Sequence, residues 1–144
     1  MRPARHLSVL GVVIAAGFAL APAAFAEMQN YAAELKSANQ VPPVDSKGTG
    51  MLNATYDTAS KKLTYTVTYK DLSGPATAAH FHGPADAKGN AGVALGAKDA
   101  ASPIKGEATL TDAQAADLQA GKWYFNVHTD KNKPGEIRGQ VMKK

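Results

Sequence analysis

Three histidines carry the chemistry that this sequence suggests. His80 and His82 stand two positions apart in the stretch 79–84, and His128 lies in the later stretch 124–129. Because side chains alternate across a strand, His80 and His82 would point to one face, where two imidazoles can share a metal ion. His128 can supply a third ligand only if its strand lies nearby in the fold. The fourth histidine, His6, falls in a segment that we expect to be removed.

A set of three imidazoles suits copper or zinc. The chain has no cysteine, which excludes thiolate chemistry, disulfides and a blue-copper site. We therefore predict one mononuclear metal site at His80, His82 and His128, with copper as the ion and zinc as the alternative. The competing interpretation is that these histidines are surface or hydrogen-bonded residues of a β domain without metal.

Residues 1–26 have the pattern of a secretory signal peptide. Two arginines precede an apolar run from 7 to 20, and Ala24-Phe25-Ala26 matches the small-x-small cleavage pattern. The apolar run is short for a bilayer span, and no charged stop-transfer segment follows it. We therefore expect a periplasmic or secreted protein whose mature part, 27–144, has no membrane span.

The charge of the chain argues against a nucleic-acid partner. The formal net charge is +4, and two of the positive charges belong to the expected signal peptide. The remaining lysines are scattered, and no basic stripe carries the interleaved aromatic residues typical of nucleic-acid binding. The expected partners are a metal ion and a protein of the envelope.

The mature part has the length of a single domain and reads as a series of short strands. The clearest is 62–69 (KLTYTVTY), in which apolar residues alternate with threonines. The other predicted strands are 30–37, 50–56, 76–82, 93–95, 104–110, 123–129 and 135–142. The turns between them are regular, and there is no alternation of strands and helices. This pattern predicts an all-β fold, an antiparallel Greek-key sandwich or barrel of about seven to eight strands.

One short helix is predicted near residues 111–120. Thr111 is a suitable N-cap, Asp112 suits the positive end of the helix dipole, and Gly121 suits the C-terminal stop. About ten residues do not form a stable helix alone, so we expect Leu118 and the alanines to pack on the sheet.

Several polar residues stand close to the histidines in the predicted strands. Tyr124 and Asn126 share the face of His128 and could donate hydrogen bonds to the site. Asp86, Asp130 and Glu136 are candidates to accept a hydrogen bond from the second ring nitrogen of a ligand histidine. The preferred alternative is that Asp86 and Asp130 are turn residues. Glu136 and Arg138 are interpreted as a surface ion pair on one strand face.

The two histidine motifs and the residues around them resemble the chordin-type, or CHRD, domain over nearly the whole mature chain, from about Tyr31 to Gln140. The resemblance implies an exported all-β domain. In animals such domains occur in an extracellular antagonist of growth factors, and in bacteria as single secreted domains whose family name states no activity. The matching residues are Ala79-His80-Phe81-His82-Gly83-Pro84-Ala85, Gly106, Leu110-Thr111, Leu118, Gly121, Tyr124, Asn126-Val127-His128-Thr129 and Pro134-Gly135-Glu136-Ile137-Arg138-Gly139-Gln140.

His80, His82 and His128 also resemble part of the copper site of copper-zinc superoxide dismutases. Those enzymes are Greek-key barrels with a His-x-His pair on one strand and another copper ligand on a late strand. This chain lacks the further histidines of a bridged two-metal site and the disulfide cysteines. The resemblance therefore implies only a mononuclear site.

Three functions follow as hypotheses. The first is an exported metal-binding domain that binds, buffers or delivers copper. The second is a structural or interaction domain of the envelope or extracellular matrix, without metal. The third is a mononuclear copper oxidoreductase acting on superoxide or another small oxidant. No nucleophile elbow and no phosphate-binding loop is present, so nothing else in the sequence favours an enzyme.

Overall fold

The computed structural model describes residues 25–144. The predicted signal peptide at 1–26 therefore lies almost wholly outside the described residues. Within the described part of the chain, no helix is both long and apolar enough to cross a membrane.

The described residues form nine strands and one α-helix, with a single 3₁₀ turn at Ser37–Asn39. Seven of the eight predicted strands and the predicted helix are present, with ends that shift by at most two residues, and the eighth is divided into two strands. The elements are β1 (Met28–Lys36), β2 (Thr49–Asp57), β3 (Lys62–Lys70), β4 (Ala76–His82), β5 (Val93–Gly96), β6 (Ile104–Thr109), α1 (Asp112–Gln119), β7 (Tyr124–Thr129), β8 (Ile137–Gln140) and β9 (Met142–Lys143).

The strands form one antiparallel sheet in the order β5-β4-β7-β8-β1-β2-β3-β6, with β9 added to β1. β1, β2 and β3 are neighbours along the chain as well as in the sheet. By contrast, β4 pairs with β7, which follows it after β5, β6 and the helix. Long connections therefore cross between the two halves of the sheet, as in a Greek-key fold. The predicted all-β architecture is confirmed.

The sheet curls so that its two halves face each other across the core. Tyr65 on β3 meets Phe81 on β4 edge to face, with ring centroids 4.9 Å apart. Phe81 also packs against Trp123 and Phe125, and all three side chains are fully buried. The inward side chains of β4 and β7 thus belong to the aromatic core, which leaves the alternate side chains of both strands on the opposite face.

The helix forms as predicted, through a capping box. Thr111 Oγ1 accepts a hydrogen bond from the Gln114 backbone N–H, and Gln114 Oε1 accepts one from the Thr111 N–H. Leu118 and Ala115 are buried against the sheet. Gly121 follows the helix with a φ of +69°, a conformation that glycine adopts without a steric cost.

The predicted last strand, 135–142, is wrong as a continuous element. β8 ends at Gln140, Val141 is buried, and Met142 and Lys143 pair with the middle of β1. The Val141 N–H donates to the carbonyl of Trp123, so the chain steps away from the β8 direction at that residue.

Glu136, at the start of β8, is not the surface residue that the sequence suggested. Its side chain is fully buried and forms no salt bridge with Arg138 or any other described residue. Its carboxylate oxygens instead accept hydrogen bonds from uncharged groups of three segments. The donors are the Ser46 hydroxyl, the Ser73 N–H and hydroxyl, the Thr129 hydroxyl and the Asn132 amide.

These donors determine the ionisation of Glu136. Burial by itself raises the pKa of the carboxyl group, but the hydrogen bonds from Ser46, Ser73 and Thr129 outweigh burial and lower the pKa from 4.5 to about 2. A carboxyl group whose pKa is lower in the folded state stabilises the fold above its unfolded pKa. The corresponding contribution is about 3 kcal/mol at neutral pH.

We predict that the contribution of Glu136 to the free energy of unfolding is constant above about pH 5.5. This contribution falls as the pH drops from about 5.5 towards about 2. Glu136→Gln removes this contribution and places an amide N–H₂ against groups that donate. Urea unfolding at pH 7 and at pH 3 measures the effect, which we expect to be a loss of roughly 3 kcal/mol at pH 7 and about half of that at pH 3.

Glu107→Gln is the matched control, because Glu107 forms an exposed ion pair with Lys62. Surface pairs contribute little, so this variant is expected to stay within about 1 kcal/mol of the wild type at both pH values. An equal loss in both variants would contradict the assignment to Glu136.

Candidate metal centre

The two histidine strands are neighbours, as the predicted site requires. β4 pairs with β7 in a register that places His80 opposite Asn126, His82 opposite Tyr124 and Ala78 opposite His128. The alternation along both strands brings the three imidazoles to the sheet face that points away from Phe81 and Phe125.

The three rings form one cluster. His80 Nδ1 lies 3.0 Å from His128 Nε2, and one nitrogen of each ring can be chosen so that all three lie within 4.8 Å of one another. His82 is buried, whereas His80 and His128 are half-buried. The structure thus brings together all the residues that the sequence assigned to the site.

Backbone carbonyls fix the tautomers of two rings. His82 Nδ1 lies 3.0 Å from the Ala91 carbonyl oxygen, and His128 Nδ1 lies 2.7 Å from that of Lys133. A carbonyl only accepts, so each Nδ1 carries the proton, and each Nε2 has a free lone pair in the neutral ring. A carbonyl acceptor behind the ring is the usual partner of a metal-binding histidine.

The nitrogen positions fit a metal ion. When two nitrogens bind one copper or zinc ion, each with a bond of about 2.0–2.1 Å, they lie at most about 4 Å from each other. The separation of His80 and His128 already satisfies this limit, and a small side-chain movement brings in the third nitrogen. His80 holds its Nδ1 proton between the two rings, so its proton must move to Nε2 when Nδ1 becomes a ligand.

Asn126 is the polar neighbour of His82. Its Oδ1 lies 3.0 Å from His82 Nε2, where two lone pairs would face each other. Rotation of the amide by about 180° would instead direct its N–H₂ group to the Nε2 lone pair, which makes the contact favourable. The Asn126 amide nitrogen lies 3.5 Å from the Pro134 carbonyl oxygen, and the nearby buried amide nitrogen of Gln40 has no hydrogen-bond partner among the described residues. The nitrogens of Gln40 and Asn126 lie 2.5 and 2.8 Å from the position that a Cβ on Gly135 would occupy.

Burial lowers the pKa of His80 and of His82. For His80, the neighbouring rings of His128 and His82 lower the pKa further because two cations would repel each other. For His82, the hydrogen bond to the Ala91 carbonyl opposes burial without reversing it. Neutral imidazole, the form that binds metals, is therefore favoured at both residues.

Tyr124 and Arg138 form a stack with His82. The rings of His82 and Tyr124 are parallel within 4°, with centroids 4.9 Å apart. On the other side, the Arg138 guanidinium carbon lies 3.5 Å from the Tyr124 centroid, at the distance of a cation–π contact. The sequence predicted that Tyr124 shares the site face, and this prediction is confirmed.

The predicted surface ion pair of Arg138 with Glu136 is wrong. Arg138 is 1% exposed and donates to neutral acceptors in the 83–92 loop, which connects β4 to β5. Nη1 binds Asn90 Oδ1 at 2.9 Å, and Nη2 binds the carbonyls of Asp86 at 3.1 Å and Gly89 at 2.6 Å. Asp86 itself is a turn residue, as predicted, because its Oδ1 accepts from the Lys88 N–H.

Sequence reasoning missed the groups that come from loops. The carbonyls of Ala91 and Lys133 are backbone groups, so residue types do not reveal them. Gln40 lies in a Pro-rich loop more than forty positions before His82, and no periodic pattern connects it to the site. The burial of Glu136 and Arg138 depends on which loops cover β8, and only the fold shows this.

Comparison with protein families identifies the domain that contains the histidine cluster. A family model described as the CHRD domain matches residues 31–141. The chain belongs to the CHRD domain family. The match runs from β1 to Val141, so the CHRD domain of this chain contains the three histidines, both buried charges and the loops that they hold. No curated protein and no solved structure matches the chain.

We predict that, in the metal-free protein at pH 7, His82 and His128 carry a proton at Nδ1 and no proton at Nε2. The pKa values of His80 and His82 are expected to lie below the ordinary 6.5, because burial disfavours their charged forms. Nitrogen-15 NMR of the imidazoles identifies the tautomers, and a pH titration gives the pKa values. A pKa above 6.5 at His82, or a proton at its Nε2, would refute this description.

Proposed function

We propose that this CHRD domain is an exported metal-binding domain that uses His80, His82 and His128 to hold one copper ion, with zinc as the alternative. The observation that supports the proposal is the convergence of three ring nitrogens within 4.8 Å on neighbouring strands. In two of these rings Nδ1 donates its proton to a backbone carbonyl, so Nε2 carries a lone pair that a metal ion could accept.

The ligand set favours copper over harder ions. The clustered groups are imidazoles without a carboxylate, whereas calcium and magnesium require oxygen ligands. Among divalent first-row metals, nitrogen sites bind copper most tightly, so copper is preferred where both ions are present. Copper bound by these side chains would provide a coordination position for a further ligand.

The exposure of the cluster supports binding, buffering or delivery. His80 and His128 are half-buried, so an ion could exchange with a solvent ligand or with another protein's ligand from that side. The charged N-terminal region and apolar run of 1–26 support a periplasmic or secreted location, where such exchange would take place.

Copper(II) and zinc(II) titration of the purified chain 27–144 tests the proposal. We predict one copper ion per chain with an EPR spectrum of nitrogen ligands, and a loss of affinity of at least tenfold in His82→Ala, since one of three ligands is removed. Calorimetry measures the affinity, and circular dichroism checks that the variant is folded.

Thr77→Ala is the control, because Thr77 is exposed on the same strand and lies outside the cluster. It is expected to bind copper as the wild type does. Weak binding that is equal in all three proteins would reject the metal site, and the CHRD domain would then be treated as an interaction domain.

A further inference from the structure

We infer that Arg138 is the positioning residue of the proposed metal site, because it stacks on Tyr124, binds the segment that leads to Ala91 and pairs with Asn126 in the sheet. These three residues orient His82. This inference concerns how the site is built, and its consequence for metal affinity rests on the proposed function. The buried guanidinium lies behind the site and touches none of the three histidines through a hydrogen bond.

His82 is oriented by three partners. Ala91 accepts from Nδ1, Tyr124 stacks on the face of the ring, and Asn126 lies at Nε2. No other described histidine of the cluster has a stacked aromatic partner of this kind. The position of the His82 ring therefore depends on where these three groups are held.

Arg138 is adjacent to all three partners. Its guanidinium covers the free face of Tyr124 at 3.5 Å, and it lies opposite Asn126 in the β7–β8 register. Its donors bind Asp86, Gly89 and Asn90, which lie in the segment that leads to Ala91. Tyr124 completes the arrangement, because its hydroxyl accepts from the Ala91 N–H at 3.2 Å and lies 3.3 Å from the Ala91 carbonyl.

The 83–92 loop needs these contacts because it has no apolar anchor. None of its residues belongs to the hydrophobic core, and the segment from 86 to 90 is mostly exposed. Its order comes from polar contacts, and Arg138 supplies three of them from one rigid, planar group. Without that group, the Ala91 carbonyl and the Tyr124 ring would both be free to move, and the His82 ring would lose its fixed tautomer.

Nitrogen-15 NMR of the metal-free chain 27–144 tests the positioning role without any metal. In Arg138→Met, we expect the His82 Nδ1–H signal to broaden or to divide between tautomers, while the His128 signal remains. Arg138→Lys keeps the charge but cannot make the planar set of contacts, so we expect an intermediate result. A folded Arg138→Met protein with an unchanged His82 signal would overturn the inference, as would an equal change at His82 and His128.

Gln140→Met is the matched control for general loosening of the loop. Gln140 pairs with Tyr124 in the β7–β8 register, but its side chain donates only to the carbonyls of Ala85 and Gly121. It therefore anchors the start of the same loop without a side-chain hydrogen bond to Tyr124 or Asn90. We expect its His82 signal to match that of the wild type. If Gln140→Met changes His82 as strongly as Arg138→Met does, the effect belongs to the loop in general and the specific role of Arg138 is rejected.

Copper titration of the same variants tests the consequence for the metal. The loss of a group that orients a ligand weakens metal binding by about 10–100-fold, and we expect this range for Arg138→Met and a change of less than threefold for Gln140→Met. If the wild type binds no copper, the proposed function fails while the NMR result still decides the role of Arg138. If the wild type binds copper and Arg138→Met binds it equally well, the inference fails and the proposed function stands.

Discussion

Two buried charges, Glu136 just before β8 and Arg138 on β8, do not form a salt bridge with each other, and the loops around the site depend on this arrangement. A buried charge is costly unless hydrogen bonds replace its water. Glu136 meets this need with donors from the loops before β2 and before β4 and from the end of β7, and Arg138 with acceptors from the 83–92 loop. Each of these segments therefore keeps one conformation, because any segment that moved away would leave a buried charge unsatisfied.

This arrangement explains how a rigid site can stand on segments with little apolar content. The histidines come from strands whose other face belongs to the aromatic core, and their ring partners come from loops. The core fixes the Cα positions of His80, His82 and His128, while the polar contacts fix the ring orientations. Burial then favours the neutral rings at His80 and His82. This β domain has no cysteine and therefore no disulfide, yet these contacts give it an ordered polar face.

The sequence predicted the parts of the structure that depend on local pattern. Alternation predicted the face shared by His80 and His82 and the separation of His128 from Phe125, and cap chemistry predicted the helix at Thr111. It did not establish that β4 and β7 are neighbours, since strand order depends on how the whole chain packs. It was wrong about Glu136 and Arg138, because charged residues two apart on a terminal strand are usually exposed. Their burial results from the covering loops, and the lone serines and asparagines that satisfy them have no sequence pattern of their own.

The distance along the chain between His80 and His128 also determines when an ion could enter. These residues are 48 positions apart, and the adjacency of their strands requires the crossing connections of the sheet. In a zinc finger, ligands close together in sequence allow the metal to drive folding. Here the unfolded chain would offer only the local pair His80 and His82, because closing the long loop to His128 has an entropic cost. In the folded sheet this loop is already closed. An ion held by all three histidines would therefore arrive last, and its uptake would report that the domain had finished folding.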